Sequence, residues 1–287
     1  MFYLIDKPLD FTSFDAIAVL RKKLKTKRIG HTGTLDPLAT GGLLIAAGNY
    51  TKLIPYFEKD SKEYEFSVNF DGESDSYDLG TPVRYISKNE QEIAKKEITK
   101  EKIEELLKIS FTGEISQIPP KYSALKIDGR KAIDMIVAGD IDFKMKERKT
   151  FINNIELLDF SYPTAKFRAE VGAGTYIRSI AYDMGKYFKT GGYVTNLRRT
   201  KVGSLDMSFA QTIEDFDKNK FFDLKKLFKN KTFIELDKEV LEDIDLGKKV
   251  KGSFDLKIGE EMFVFDGNNV TNIVLYDGEL LHPKKKI

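Results

Sequence analysis

The sequence predicts an α+β fold built on a mixed, largely antiparallel sheet. Three observations predict it. Short apolar runs such as Leu43-Leu44-Ile45-Ala46-Ala47, and alternating stretches such as Tyr64 to Phe70 and Ala165 to Val171, have the length and period of strands. Helical periodicities fall between them without the strict alternation of a parallel βαβ array. At 287 residues, 41% of them hydrophobic, the chain can bury a full core and has room for a second, smaller unit.

Met1 to Ile5 reads as a strand, and Pro8 in Asp6-Lys7-Pro8 stops its ladder because proline has no N–H to give. Thr12-Ser13-Phe14-Asp15 has the form of a capping box, and Ile17, Leu20 and Leu24 continue it as an amphipathic helix. The end of that helix opens Arg21 to Arg28, six basic residues in eight, a run expected to lie right beside the loop that follows. That loop, residues 30 to 42, holds four glycines and a proline in thirteen residues and is too irregular for a helix or a ladder. It carries His31, one of two histidines in the chain, and Asp36, fixed on its C-terminal side by Pro37. On the residues alone it is either a glycine-rich turn with a capping aspartate or a site held at the edge of a rigid scaffold.

A short helix near Thr51 to Phe57 precedes the 64–70 strand, and Asp71 to Gly80 reads as a solvated polar loop whose spacing does not fit an EF-hand. A helix over Lys100 to Leu107 and a connector or strand over Phe111 to Ile115 follow. Pro119 to Lys126 is extended and rigid, and a helix from about Arg130 to Ala138 succeeds it. This stretch, about 115–149, ends in the basic run Lys144 to Lys149 and reads as an excursion from the sheet. Strands over Thr150 to Tyr162 and Ala165 to Val171 are broken by Gly172-Ala173-Gly174. A helix then begins near Thr175, with Ile177, Ile180, Met184 and Tyr187-Phe188 inward, which puts Tyr176 and Arg178 at a strand-to-helix junction. Val194 to Val202 and Ser204 to Phe209 complete the predicted strands. The chain divides near residue 228. Residues 229–287 have an acidic start, then short strands with turns at Asp266-Gly267-Asn268-Asn269 and Asp277-Gly278, and are too few for an independent core, so they should pack on 1–228.

Composition narrows the chemistry. With no cysteine, disulfides, thiolate nucleophiles and Cys-ligated zinc are excluded, and two histidines make a histidine-rich metal site implausible. No Walker loop or dinucleotide fingerprint is present, so no cofactor or metal is expected. The opening residues lack the pattern of a secretory signal, and no apolar run is long enough to span a bilayer; the chain reads as soluble, cytoplasmic and monomeric. Net charge is only +2, but basic runs at 21–28, 144–149, 198–201 and 284–286 are segregated from acidic ones at 90–105 and 235–245. Segregation of this kind suits a polyanion-binding face with an acidic back.

The loop, read as Gly30-His31-Thr32-Gly33-Thr34-Leu35-Asp36-Pro37-Leu38-Ala39-Thr40-Gly41, resembles the characteristic motif of the TruB family of tRNA pseudouridine synthases. The resemblance continues in Asp6-Lys7-Pro8 with Thr12-Ser13, Lys62-Glu63-Tyr64, Tyr122-Ser123-Ala124-Leu125-Lys126, Gly174-Thr175-Tyr176-Ile177-Arg178-Ser179, Leu197-Arg198-Arg199 and the closing Leu281-His282-Pro283-Lys284. Asp10 departs from the family's usual glycine, and Ser74-Asp75-Ser76 from its Thr-Asp-Thr. The resemblance implies a pseudouridine synthase fold with an inserted RNA-clamping segment and a short PUA-like C-terminal β domain. It implies conversion of uridine to pseudouridine at position 55 in the T-arm of tRNA, by base flipping and without a cofactor, and with it a tRNA-folding activity. It implies catalytic roles for Asp36, for Tyr64 stacked on the base, and for Arg178 paired with the aspartate. Tyr176 and Leu197 become pocket walls, His31 a wedge beside the displaced base, and Lys7 and Lys126 contacts to phosphate or supports of the pocket. The competing readings are a non-catalytic tRNA chaperone and a guide-RNA-dependent rRNA pseudouridine synthase; the first has no need of the Asp36, Tyr64 and Arg178 set, and the second is disfavoured by the compact chain.

Overall fold

The computed structural model describes residues 1–57, 60–252, 254–267 and 269–287. Ten strands of the described residues form one mixed sheet. Its main path runs Gln211–Thr212, Phe2–Lys7, Ala39–Ala47, Tyr193–Val202, Lys62–Asn69, Thr164–Val171, Arg148–Ser161 and Gly113–Gln117. Two pairings are parallel, Phe2–Lys7 with Gln211–Thr212 and Tyr193–Val202 with Ala39–Ala47; the other pairings in this sheet are antiparallel. The predicted mixed, largely antiparallel sheet is therefore present.

The apolar runs are continuous because the sheet is covered on both faces. Side chains alternate across a strand, and here the alternation sorts them into two cores. Tyr3, Ile5, Leu43, Ile45 and Ala47 face the core that takes in Ala16, Ile17 and Leu20 of the first helix and Ile180, Ala181 and Met184 of the Ile177–Phe188 helix. Phe2, Leu4, Leu44 and Ala46 face a second core with Phe263, Val270 and Ile273 from the C-terminal strands. Those strands, Thr232–Ile234, Val250–Lys251, Glu261–Phe265, Val270–Tyr276 and Leu280–Lys286, make a separate five-stranded sheet. Phe228 joins the two, 4.5 Å from the Phe57 ring and 5.0 Å from the Phe263 ring. The expected packing of the last residues on the first sheet is observed.

The capping box forms as read: the Thr12 side chain accepts from the Asp15 amide, and Asp15 accepts from the Thr12 amide, at the start of Ser13–Leu24. Residues 118–147 leave the sheet between Gly113–Gln117 and Arg148–Ser161, which pair with each other through Gln117 and Arg148, so the excursion is also observed.

Five expectations are corrected. The glycine-rich stretch is not all loop: Ile29–His31 and Ala39–Ala47 are strands that include Gly30, Gly41 and Gly42. The basic run does not lie along the loop as a whole. Arg21, Lys22 and Lys23 sit in the last turn of a 12-residue helix, about 18 Å from its start at the loop. Only the end of the run adjoins Ile29–His31, where the Arg28 carbonyl accepts from the Gly48 amide. Tyr187 is 62% exposed rather than inward. Of Ser204 to Phe209 only Leu205–Asp206 is strand; Met207–Phe209 is a 3₁₀ turn. The Asp71–Gly80 loop is not solvated throughout, since Ser74, Ser76 and Asp78 are buried. A helix over Lys88–Glu97, not read from the sequence, hides in a charged stretch of which only Ala94 is buried. At the predicted turn the Asp266 amide donates to the Asn269 carbonyl; Asn268 lies outside the described residues.

Candidate active site

The site grows from the short loop between Ile29–His31 and Ala39–Ala47. The loop is pinned from several sides. The Thr32 amide donates to the Leu44 carbonyl at 3.0 Å, and the Ala39 amide donates to the Asp36 carbonyl at 3.0 Å. Ser13 Oγ accepts from the Leu35 amide at 2.8 Å and donates to the Leu35 carbonyl at 3.1 Å. The Pro37 carbonyl accepts from the Asp10 amide at 3.1 Å and from Lys7 Nζ at 3.3 Å. Asp10 itself has φ of 61°, the left-handed region that glycine meets without cost and aspartate tolerates.

Asp36 is thereby held at the mouth of a cavity of about 330 Å³. Arg178, in the first turn of the Ile177–Phe188 helix, reaches it across 142 residues of sequence: Nη2 donates to Asp36 Oδ1 at 2.9 Å. Arg178 Nη1 donates to the carbonyls of Ser76 at 3.0 Å and Tyr122 at 3.1 Å, and Nε faces Asp78 Oδ2 at 3.6 Å. One guanidinium thus ties the loop, the buried part of the 71–80 segment and the excursion together. The guanidinium is 5% exposed and the Asp36 side chain 33%, so the arginine is a fixed part of the scaffold while the carboxylate stays open to the cavity.

Tyr64, Tyr176 and Leu197 line the same cavity, as do Ser123 to Leu125 of the excursion. The Tyr176 backbone is clamped by Gln117, whose side chain accepts from its amide at 3.1 Å and donates to its carbonyl at 3.2 Å. Burial pushes the Tyr176 phenol above its ordinary pKa, so it is a neutral donor at physiological pH. The structure thus brings Asp36, Arg178, Tyr64, Tyr176 and Leu197 together.

The remaining residues stand elsewhere. His31 lies outside the cavity lining, its ring edge-on to Phe14 at 6.0 Å. Burial, then the Arg199 charge, lowers its pKa, which keeps the imidazole neutral. Lys7 is corrected as a phosphate contact: it is 0% exposed, and its ammonium donates to the carbonyls of Pro8 at 2.8 Å and Phe11 at 2.5 Å as well as Pro37. It supports the loop from behind; burial brings its pKa down to about 8. Lys126 is exposed in a two-residue strand of the excursion, one residue beyond the cavity-lining Leu125.

Sequence reasoning missed Arg199. Read as part of a basic RNA-facing run, it is 2% exposed. Its Nε donates to the Gly42 carbonyl at 2.6 Å, its Nη2 to the Gly33 carbonyl at 3.1 Å and its Nη1 to the Tyr64 hydroxyl at 3.4 Å. The strand carrying it runs beside Ala39–Ala47 because Gly41 is glycine. A Cβ there would stand 2.2 Å from the Arg199 carbonyl oxygen, and φ at Gly41 is +101°. Its neighbours in the run are engaged too: Arg198 with Asp6 at 2.7 Å and Lys201 with Glu63 at 2.9 Å.

Known proteins resemble the chain throughout. The profile of the TruB family pseudouridylate synthase N-terminal domain matches residues 21–177, and that of the tRNA pseudouridylate synthase B C-terminal domain matches residues 178–241. The tRNA pseudouridine synthase B of Flavobacterium johnsoniae is 40% identical over 223 residues, 75% of this chain and 94% of its own. That of Aquifex aeolicus is 39% identical over 215 residues, 74% of this chain and 72% of its own. Among solved structures, a chain of a Cbf5-Nop10-Gar1 complex superposes with a TM-score of 0.66 at 20% identity, over 100% of this chain and 84% of its own. A chain of an H/ACA RNP bound to a substrate RNA containing 2'-deoxyuridine does so at 0.66 and 19%, over 99% of this chain and 84% of its own. At those identities the likeness is one of fold. The sequence matches and the shared fold together lead to one conclusion: the chain belongs to the TruB family of pseudouridylate synthases.

Proposed function

We propose that this chain converts uridine to pseudouridine at position 55 in the T-arm of tRNA. The observation that carries the proposal is the Asp36 carboxylate, aimed into the cavity by a buried Arg178 and faced by Tyr64 and Tyr176. Relatives near 40% identity that are named for tRNA support tRNA over guide-directed rRNA. The reaction breaks N1–C1′, turns the uracil and joins C5 to C1′; C5 loses a proton, N1 gains one, and no electrons are exchanged. A uridine in a folded loop must leave its stack to reach Asp36, and aromatic surfaces stabilise an extruded base. Tyr64 suits both tasks: its hydroxyl accepts from Arg199, which orients the phenol and leaves its own proton to give or relay. Tyr176 and Leu197 wall the base, and Arg178 positions Asp36 for its attack or proton transfer. Lys7 and His31 hold the loop and its surroundings in shape. Lys126 and the exposed cations of the 144–149 run meet phosphate.

We divide the chain into a catalytic unit, 1–228, with the excursion at about 115–149 clamping RNA, and a short PUA-like C-terminal unit, 229–287, acting as a cytoplasmic monomer that also assists tRNA folding. The test is incubation of the purified chain with an unmodified tRNA transcript, followed by carbodiimide treatment and primer extension. A block at the T-loop uridine is expected. Its absence, with the RNA bound, favours a chaperone and removes the enzymatic reading.

A further inference from the structure

Phe14 is 62% exposed, although it occupies the second position of a helix whose first residue is bonded to the active-site loop. It takes no part in the buried side of that helix, which is formed by Ser13, Ala16, Ile17 and Leu20. A lone exposed apolar side chain is ordinary; the surroundings of this one are not. The His31 ring meets it edge-on at 6.0 Å, and Lys131 Nζ lies 5.9 Å from its centroid. Each neighbour leads directly to the cavity. Ser13 is bonded to Leu35, His31 precedes Thr32, and Lys131 precedes Ala132, whose amide donates to the Leu125 carbonyl at 2.8 Å. Leu35, Thr32 and Leu125 all line the cavity. Phe14 thus stands at the rim, between the loop and the excursion, with a solvent-facing ring, a neutral imidazole and an ammonium in one group.

Nucleobases of any identity stack on an aromatic face, and a nearby cation meets the phosphate that follows. We propose that Phe14 is a stacking platform for a second unstacked base of the substrate RNA, adjacent to the extruded uridine, with Lys131 beside that nucleotide's phosphate. This rests on the Asp36 cavity being the uridine pocket. Phe14 is then a positioning residue: it holds the loop open and does not touch the reacting atoms.

The chain contains no tryptophan, so Phe14→Trp introduces a single fluorophore at the rim. The probe is an unmodified T-arm stem-loop RNA, together with versions abasic at each loop position in turn, titrated into Phe14→Trp/Asp36→Asn protein. Quenching by the intact stem-loop that is lost for one abasic position next to the target uridine is the expected result. Phe14→Ala should raise KM for the stem-loop roughly tenfold, with kcat and melting temperature nearly unchanged, and Phe14→Tyr should restore KM. Absence of quenching, quenching equal for every abasic RNA, or an unchanged KM in Phe14→Ala overturns the platform. If the wild-type chain forms no pseudouridine, the uridine-pocket reading falls on that result alone, while the fluorescence titration still decides the stacking.

Discussion

Arg178 reaches Asp36 from a position 142 residues later, and the two differ sharply in exposure: 5% for the arginine side chain, 33% for the aspartate. The arginine is spent on structure as much as on the site, because the same guanidinium holds the Ser76 and Tyr122 carbonyls. Lysine cannot reproduce that fork. Arg178→Lys should therefore lower the rate of pseudouridine formation roughly a hundredfold by letting Asp36 drift. It should also cost about 3 kcal/mol, from buried acceptors and the Asp78 carboxylate left unpaired. Single-turnover assays and chemical denaturation on the same variant measure both.

Asp36→Asn keeps the shape and one acceptor oxygen for Arg178 but removes the carboxylate. Product should vanish while affinity for tRNA stays within about threefold, about 0.7 kcal/mol. Turnover by the asparagine variant, followed by filter binding and product mapping, would show that another group does the chemistry.

Gly41 and Gly174 make a paired comparison. Both have positive φ, +101° and +83°, but a Cβ at Gly41 would meet the Arg199 backbone at 2.2 Å whereas one at Gly174 meets nothing within 4 Å. Gly174→Ala should cost about 1 kcal/mol of backbone strain. Gly41→Ala should cost more than ~3 kcal/mol, because the two parallel strands must part. Equal melting temperatures for the two variants would contradict the close approach.

Asp183 sits in the Ile177–Phe188 helix, where burial raises its carboxyl to about 6 from an ordinary 3.8, opposed only by Lys186. A raised acid pKa means the folded state binds the extra proton between those values. Stability therefore falls as pH rises from about 4 to about 6 and stays lower above it. Asp183→Asn should flatten that window and stabilise the protein at pH 7 by up to ~3 kcal/mol. Melting temperature against pH for both proteins reads this directly.

The basic runs should separate by their partners. Lys144 and Lys146 are exposed near the end of the excursion, whereas Lys201 is paired with Glu63 at 2.9 Å. Replacing Lys144 and Lys146 with alanine should reduce the slope of log affinity for tRNA against log salt by about 1.5. Lys201→Ala should leave the slope nearly unchanged. Binding titrations at several salt concentrations distinguish them.

Local features determined much of this. The capping box at Thr12 and Asp15, the alternation of Tyr64 to Phe70 and the break at Gly172 to Gly174 depend on neighbours in the chain, and each appears where the residues put it. The loop's motif marked Asp36, and matching later segments marked Tyr64, Tyr176, Arg178 and Leu197 as its companions. Only the tertiary structure decided which charges are exposed. Arg199 read as part of an RNA-facing run and Lys7 as either a phosphate contact or a support of the pocket. Both are enclosed by backbone carbonyls, Lys7 by those of Pro8, Phe11 and Pro37 and Arg199 by those of Gly33 and Gly42. Arg21 to Arg28 read as neighbours of the loop, yet the helix carries Arg21, Lys22 and Lys23 about 18 Å from its loop-bonded start. A charge run shows its composition but not its partners, since a buried cation is stabilised by carbonyls from distant segments that leave no local signal. The same holds for Asp36: the family resemblance of its loop marked the carboxylate and its arginine partner, and the fold decided that this arginine is buried and bound to the Ser76 and Tyr122 carbonyls as well.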